Sequence, residues 1–198
     1  MKFEEILLMR YGPERTAALA HWVQHLYPKG ISSPVLVGGA AVELYTGGAY
    51  VTADLDFVGS VPATVRRSLK GSGFNKEGRH WIHEAGEIFL EFPGAVISEG
   101  DEKTILRRGG IEVITIRPES LIIDRLRSLI FWNYREDGLN ALLLVRAQKE
   151  SISPAKVITL AKDADVKGAF ESLWQLAGKN VKRKPSQRAV DDWLERYL

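Results

Sequence analysis

The chain has 198 residues, 45% of them hydrophobic and 26% charged, with a net charge of +2 at pH 7; that is enough for one large domain, or one domain with a helical extension, around a real core. It contains no cysteine, which excludes disulfides, thiolate metal sites and a cysteine nucleophile and leaves the redox compartment open. The near-balanced charge neither requires nor forbids a nucleic-acid partner, and no stretch approaches the roughly 18 uninterrupted apolar residues of a membrane span.

At the N-terminus, the short apolar run of MKFEEILLMRYGPERTA is flanked or interrupted by Glu4, Glu5 and Arg10, a pattern unlike a secretory signal. The expectation is a cytoplasmic protein. Pro13 to Leu26 reads as a helix, with Ala17, Ala20, Val23 and Leu26 near one stripe and Pro13 in its first turn. YPKGISSP is a loop, and VLV at 35–37 a short β-branched strand. GAAVELY from Gly39 to Tyr45 forms a helix that TGG ends. DLDFVG is a second strand, with Leu55 and Phe57 on one face and Asp54 and Asp56 on the other.

VPATVRRSLKGSGF reads as a helix ending at Gly71 or Gly73. HWIHE and EIFLEF are two strands joined by a turn around Ala85 and Gly86, and IEVITI at 111–116 is another strand after a turn at Gly109 and Gly110. From Pro118 the period becomes helical: Ile122, Leu126, Leu129 and Ile130 make one stripe, and Leu139, Leu142, Leu143 and Ala147 the next. Further helices are expected at 154–163, 165–177 and 186–197. Residues 1–116 are therefore expected to mix strands and helices, and residues 117–198 to be all helical. The basic run KNVKRKPSQR at 179–188 reads as a loop between the last two helices.

Two features carry chemistry. A strand that ends in Gly38-Gly39 and runs into a helix lets backbone N–H groups approach an anion, and the helix N-terminus adds partial positive charge. Alone, the pair favours a tight strand-to-helix turn with no ligand. It is neither a P-loop nor a dinucleotide fingerprint, because no Gly-Lys-Ser/Thr and no third glycine follow. Asp54 and Asp56 place two carboxylates side by side on one strand face, a donor set that hard Mg²⁺ uses together with substrate phosphates. Alone, that pattern also occurs on solvated strands.

In order, strand, Gly-Gly, helix and Asp-Leu-Asp resemble the signature of the nucleotidyltransferase fold superfamily, the DNA polymerase β-like group. The form GGAAVELYTGGAYVTADLDFV, with Thr52 two residues before Asp54, is most similar to its small bacterial branch of abortive-infection toxin-like and minimal nucleotidyltransferases. The resemblance spans about residues 33–130, and its 14-residue spacer between Gly39 and Asp54 sits at or slightly beyond the usual upper limit. It implies an α+β fold, a nucleotidyltransferase-like mixed sheet flanked by helices and followed by an all-α C-terminal part. It also implies Mg²⁺ held by Asp54, Asp56 and a third carboxylate from a later strand. Glu91, between apolar neighbours in EIFLEFPG, is the choice, with Glu87 and Glu112 as fallbacks. Gly38, Gly39 and Thr52 would lie at the nucleotide, and Arg125, on the helix after the core, is preferred over Arg127 for the triphosphate.

The implied reaction is transfer of a nucleoside monophosphate from a nucleoside triphosphate to RNA, a protein hydroxyl or a small molecule. The alternatives are a catalytically degenerate nucleotide- or partner-binding module, as in one half of a toxin–antitoxin pair, and an α/β domain in which the two motifs coincide by chance. Other chemistries find less support. His80 and His83, three apart on a strand, face opposite sides; no HExxH zinc motif and no GxSxG elbow occurs. The five tryptophans read as packing, with Trp132 or Trp174 as a less favoured base-stacking platform. Asp137 reads as helix-start charge.

Overall fold

A computed structural model describes residues 2–178 and 183–198. Residues 179–182 of the basic run lie outside the described residues. The chain divides into two compact units, Met1–Ile116 and Arg117–Leu198.

The first unit opens with α1 (Phe3–Leu7) and α2 (Pro13–His25). Next come β1 (Val35–Val37), α3 (Gly38–Thr46), β2 (Asp54–Val58) and α4 (Ala63–Gly71). The strands β3 (Asn75–Glu77), β4 (His80–His83), β5 (Ile88–Gly94), β6 (Lys103–Arg108) and β7 (Ile111–Ile116) complete it. All seven strands join one mixed sheet in the order β3-β4-β5-β2-β1-β7-β6. β2 lies antiparallel to β1 and parallel to β5, and β1 is parallel to β7.

Local chemistry explains the boundaries. Gly12, at φ 134°, precedes Pro13 at the first position of α2, where a missing N–H costs nothing. α3 stops because Gly47 takes a left-handed conformation at φ 67° while the Gly48 N–H donates to the Glu43 carbonyl. Alternation on β2 sends Leu55 and Phe57 into the core and leaves Asp54 exposed and Asp56 half-buried. The core also takes Leu36, Val65, Leu69, Phe74, Trp81 and Leu90. α2 packs on β7, helped by Gln24, whose side chain donates to the Ile114 carbonyl and accepts from the Ile114 N–H.

Three elements were not anticipated. α1 has only five residues but buries Phe3 and Ile6, and Phe3 stacks on Trp22 at 4.4 Å. β3, Asn-Lys-Glu, is a fully exposed edge strand with no apolar alternation to announce it. β6 pairs with β7 across Gly109 and Gly110, both at positive φ, so the glycines close a hairpin rather than merely precede a strand.

The second unit contains α5 (Pro118–Trp132), α6 (Arg135–Gln148), α7 (Pro154–Asp163), α8 (Lys167–Leu176) and α9 (Gln187–Glu195). Ile122, Leu126 and Leu129 are fully buried, as the stripe requires, whereas Leu139 is exposed at 37%. Gly138 allows close helix packing, since a methyl group there would press on Leu129 and Leu194. No helix among the described residues is long and apolar enough to cross a membrane.

Candidate functional site

The glycine pair and the Asp-Leu-Asp strand meet because β1 and β2 are neighbours. Val37, the residue before the glycines, pairs with Asp56. Gly38 then turns the chain at φ 63° into α3, and a methyl group on Gly38 would overlap Oδ2 of Asp56. Glycine is therefore required twice, for conformation and for space. A methyl group on Gly39 would lie 3.2 Å from Tyr50 and 3.4 Å from Thr52, a close but softer fit. The Asp56 carboxylate thus rests on the turn that opens α3, where backbone N–H groups begin a helix.

β5 adds the third carboxylate to the same face. Asp56 pairs with Glu91 across the parallel β2–β5 ladder, and Asp54 with Phe89. Paired residues point to the same face, about 4.8 Å apart. His80 on β4 pairs with Glu91 in turn. His80, Glu91, Asp56 and Val37 therefore form one row across four strands, with Asp54 two residues along. The side chain of Glu91 is 15% exposed, and both its oxygens have partners: Arg79 Nε at 3.1 Å and His80 Nδ1 at 3.5 Å.

Two fallback carboxylates are engaged elsewhere. Glu87 sits at φ 48°, just before β5, and accepts from the Tyr11 hydroxyl. Glu112 pairs with Arg107 at 2.7 Å.

Behind the acidic face lies a residue that motif reading missed. Glu43, fully buried in α3, accepts from the Thr52 N–H at 3.3 Å, and its Oε1 has no hydrogen-bond partner. Thr52 Oγ1 in turn accepts from the Asp54 N–H at 3.2 Å. A relay of two hydrogen bonds therefore runs from α3 to the backbone of Asp54. Burial raises the Glu43 pKa above the ordinary carboxylate value, against the lowering effects of the Thr52 N–H, the Thr16 hydroxyl and Arg108. A carboxylate at the sixth position of a helix that opens on a glycine turn, in a sequence otherwise apolar or small, was the available signal.

Arg125 belongs to the helical unit. Its guanidinium donates from Nε and NH2 to Asp124 and from NH1 to Asp137 at 2.7 Å. Burial opposes its charge, yet the two carboxylates outweigh burial and raise its pKa. Asp137 is thus more than helix-start charge: it joins α6 to Arg125 and Ser128 of α5. Arg127 is exposed.

His83 is 8% exposed and accepts from the Gly86 N–H, so it serves the turn. Trp174 packs on Phe170 beneath Lys149, whereas Trp132 is 60% exposed.

Among the described residues, no three His, Cys, Asp or Glu side chains gather into a metal-binding group. Asp54 and Asp56 nonetheless fit the other kind of Mg²⁺ site. They supply two hard oxygen donors on one face, with Asp56 packed against the glycine turn, and substrate phosphates and water supply the rest of an octahedron. On the opposite face of this part of the sheet, Arg66, Lys76, Arg79, Trp81 and Phe92 help line a cavity of about 460 Å³.

No family model matches the chain, and no curated protein matches it. Among solved structures it is similar to the crystal structure of an antigenic nucleotidyltransferase-like protein from Paracoccidioides brasiliensis. The TM-score is 0.53 at 17% identity, covering 91% of this chain and 98% of that one. The likeness is one of fold, and the fold is α+β and nucleotidyltransferase-like.

Proposed function

We propose that the chain is a Mg²⁺-dependent nucleotidyltransferase that moves a nucleoside monophosphate from a nucleoside triphosphate to an acceptor hydroxyl. The observation that carries this reading is the packing of Asp56 against Gly38 with Glu91 in register beside it. Asp54 and Asp56 would hold the cation, which when bound neutralises phosphate charge and lowers the pKa of the attacking hydroxyl. The N–H groups at the start of α3 would receive the outer phosphates. Thr52 would hold the backbone of Asp54 in place. Glu91 would join Asp54 and Asp56 as third carboxylate by releasing Arg79 or His80. Arg125 already spends its charge on Asp124 and Asp137, which weighs against a part for it at the triphosphate. Positioning and charge neutralisation dominate such a transfer.

The acceptor would be RNA, a protein hydroxyl or a small molecule, and the cavity lined by Arg66, Lys76 and Arg79, on the other face of the sheet, does not select among them. The toxin-like reading rests on the form of the Gly-Gly to Asp-Leu-Asp stretch. It predicts that expression slows growth of a bacterial host and that Asp54→Ala/Asp56→Ala relieves the effect. Incubation with each labelled nucleoside triphosphate, Mg²⁺ and pooled host RNA and protein tests the activity. Transfer by the wild type and its loss in Asp54→Ala/Asp56→Ala is expected; equal transfer by the double variant refutes it.

The hold of Arg79 and His80 on Glu91 favours a second reading, a nucleotide-binding module without transfer. It predicts saturable nucleotide binding with no labelled product.

A further inference from the structure

We propose that His21 and His25 form a binding site for a borderline divalent transition ion such as Zn²⁺, Ni²⁺ or Cu²⁺, separate from the carboxylate face. The site does not depend on the nucleotidyltransferase reading. Its sequence signal is HWVQH, two histidines four apart on α2, which places both on one side of the helix one turn from each other.

The hydrogen bonds decide the tautomers. His21 Nδ1 lies 2.7 Å from the carbonyl oxygen of Glu112, and His25 Nδ1 lies 2.8 Å from the carbonyl oxygen of His21. A carbonyl only accepts, so each Nδ1 must carry the proton. In the neutral ring the lone pair is then on Nε2 in both residues. This is the arrangement of metal-ligating histidines, whose second nitrogen donates to a carbonyl or carboxylate and so fixes the ring. The two ring centroids are 3.9 Å apart with the planes at 35°. An ion held at about 2.0–2.1 Å by both nitrogens needs the rings somewhat farther apart, an opening that the exposed His25 side chain can make.

Chemistry selects the ion. Imidazole nitrogen suits Zn²⁺, Cu²⁺ and Ni²⁺, whereas Mg²⁺ requires oxygen. Two protein ligands leave the remaining positions to water or an exogenous group, as expected where, among the described residues, no third His, Cys, Asp or Glu joins. His21 is anchored to β7 through the Glu112 carbonyl, so a bound ion would clamp two turns of α2 in the orientation that packs on that strand.

The test uses the full chain stripped with a chelator and titrated calorimetrically with Zn²⁺, Ni²⁺ and Cu²⁺. One ion per chain is expected, Cu²⁺ binding tightest, with a melting temperature that rises with ion concentration. His21→Ala and His25→Ala should each weaken binding at least tenfold. A large excess of Mg²⁺ and the change Asp54→Ala/Asp56→Ala should both leave it intact. Nitrogen-15 NMR of the wild type keeps the claim testable if a variant misfolds: the Nε2 resonances of both rings should respond to Zn²⁺ while Nδ1 stays protonated. No uptake, affinity unchanged in both histidine variants, displacement by Mg²⁺, or ligation through Nδ1 would each overturn it.

Discussion

Replacing Glu43 with glutamine gives a sharp test of the packing behind the carboxylate face. Glu43 is fully buried, one of its oxygens is unpaired, and burial raises its pKa. A raised folded value means that the native state holds the proton to higher pH than the unfolded chain. The contribution is therefore fully present below the unfolded pKa and lost as pH rises through the folded one. Within that window one residue can lower stability by at most about 1.4 kcal/mol per pH unit. Glutamine removes the titration yet keeps an acceptor for the Thr52 N–H. Above the folded pKa it also replaces a buried carboxylate charge with a neutral amide, which is cheaper to bury. Urea unfolding of wild type and Glu43→Gln, measured from pH 4 to pH 8, reads the effect directly. The variant should lose the downward slope between the ordinary glutamate pKa and the raised folded one, and equal or exceed the wild type above it. Parallel curves would mean that Glu43 does not titrate in the native state, and the reasoning from burial would fail.

Gly38→Ala should destabilise by about 1–2 kcal/mol from its left-handed backbone alone, and more from overlap with Asp56; thermal unfolding should show a larger loss than for Gly39→Ala, which lacks the left-handed backbone and has a softer fit. Thr52→Val should cost about 0.5–1.5 kcal/mol by deleting the acceptor for the Asp54 N–H, and calorimetry should show weaker Mg²⁺–nucleotide binding than wild type. Arg125→Ala should destabilise the chain by about 2 kcal/mol, because Asp137 loses a partner at a site only 18% exposed. A double-mutant cycle with Asp137→Ala should return a coupling of about 1 kcal/mol or more, and zero coupling would remove the ion pair from the account.

Legibility in the sequence followed the range over which each signal acts. The order of β1, α3 and β2 was readable because each element announces itself within a few residues: a β-branched run, Gly-Gly, a small-residue helix closed by glycines, and strict alternation around Asp54 and Asp56. The face that Glu91 occupies followed from the same alternation. Its partners did not, because Arg79 and His80 reach it only through the β4–β5 register, which no local pattern specifies. β3 stayed hidden for the converse reason: an exposed edge strand has no core side to alternate against. Glu43 stayed hidden because a carboxylate in a helix reads as solvent-facing until the fold buries it. These omissions fall on one side of the site. The motifs name the groups that face a ligand, whereas the residues that hold those groups, Glu43 behind Thr52 and Arg79 against Glu91, are found only after the strands are paired. Mutating the motif alone would therefore show that the carboxylates matter. Mutating Glu43 asks whether they are held where a cation and a triphosphate could use them, and mutating Arg79 asks whether Glu91 is withheld from them.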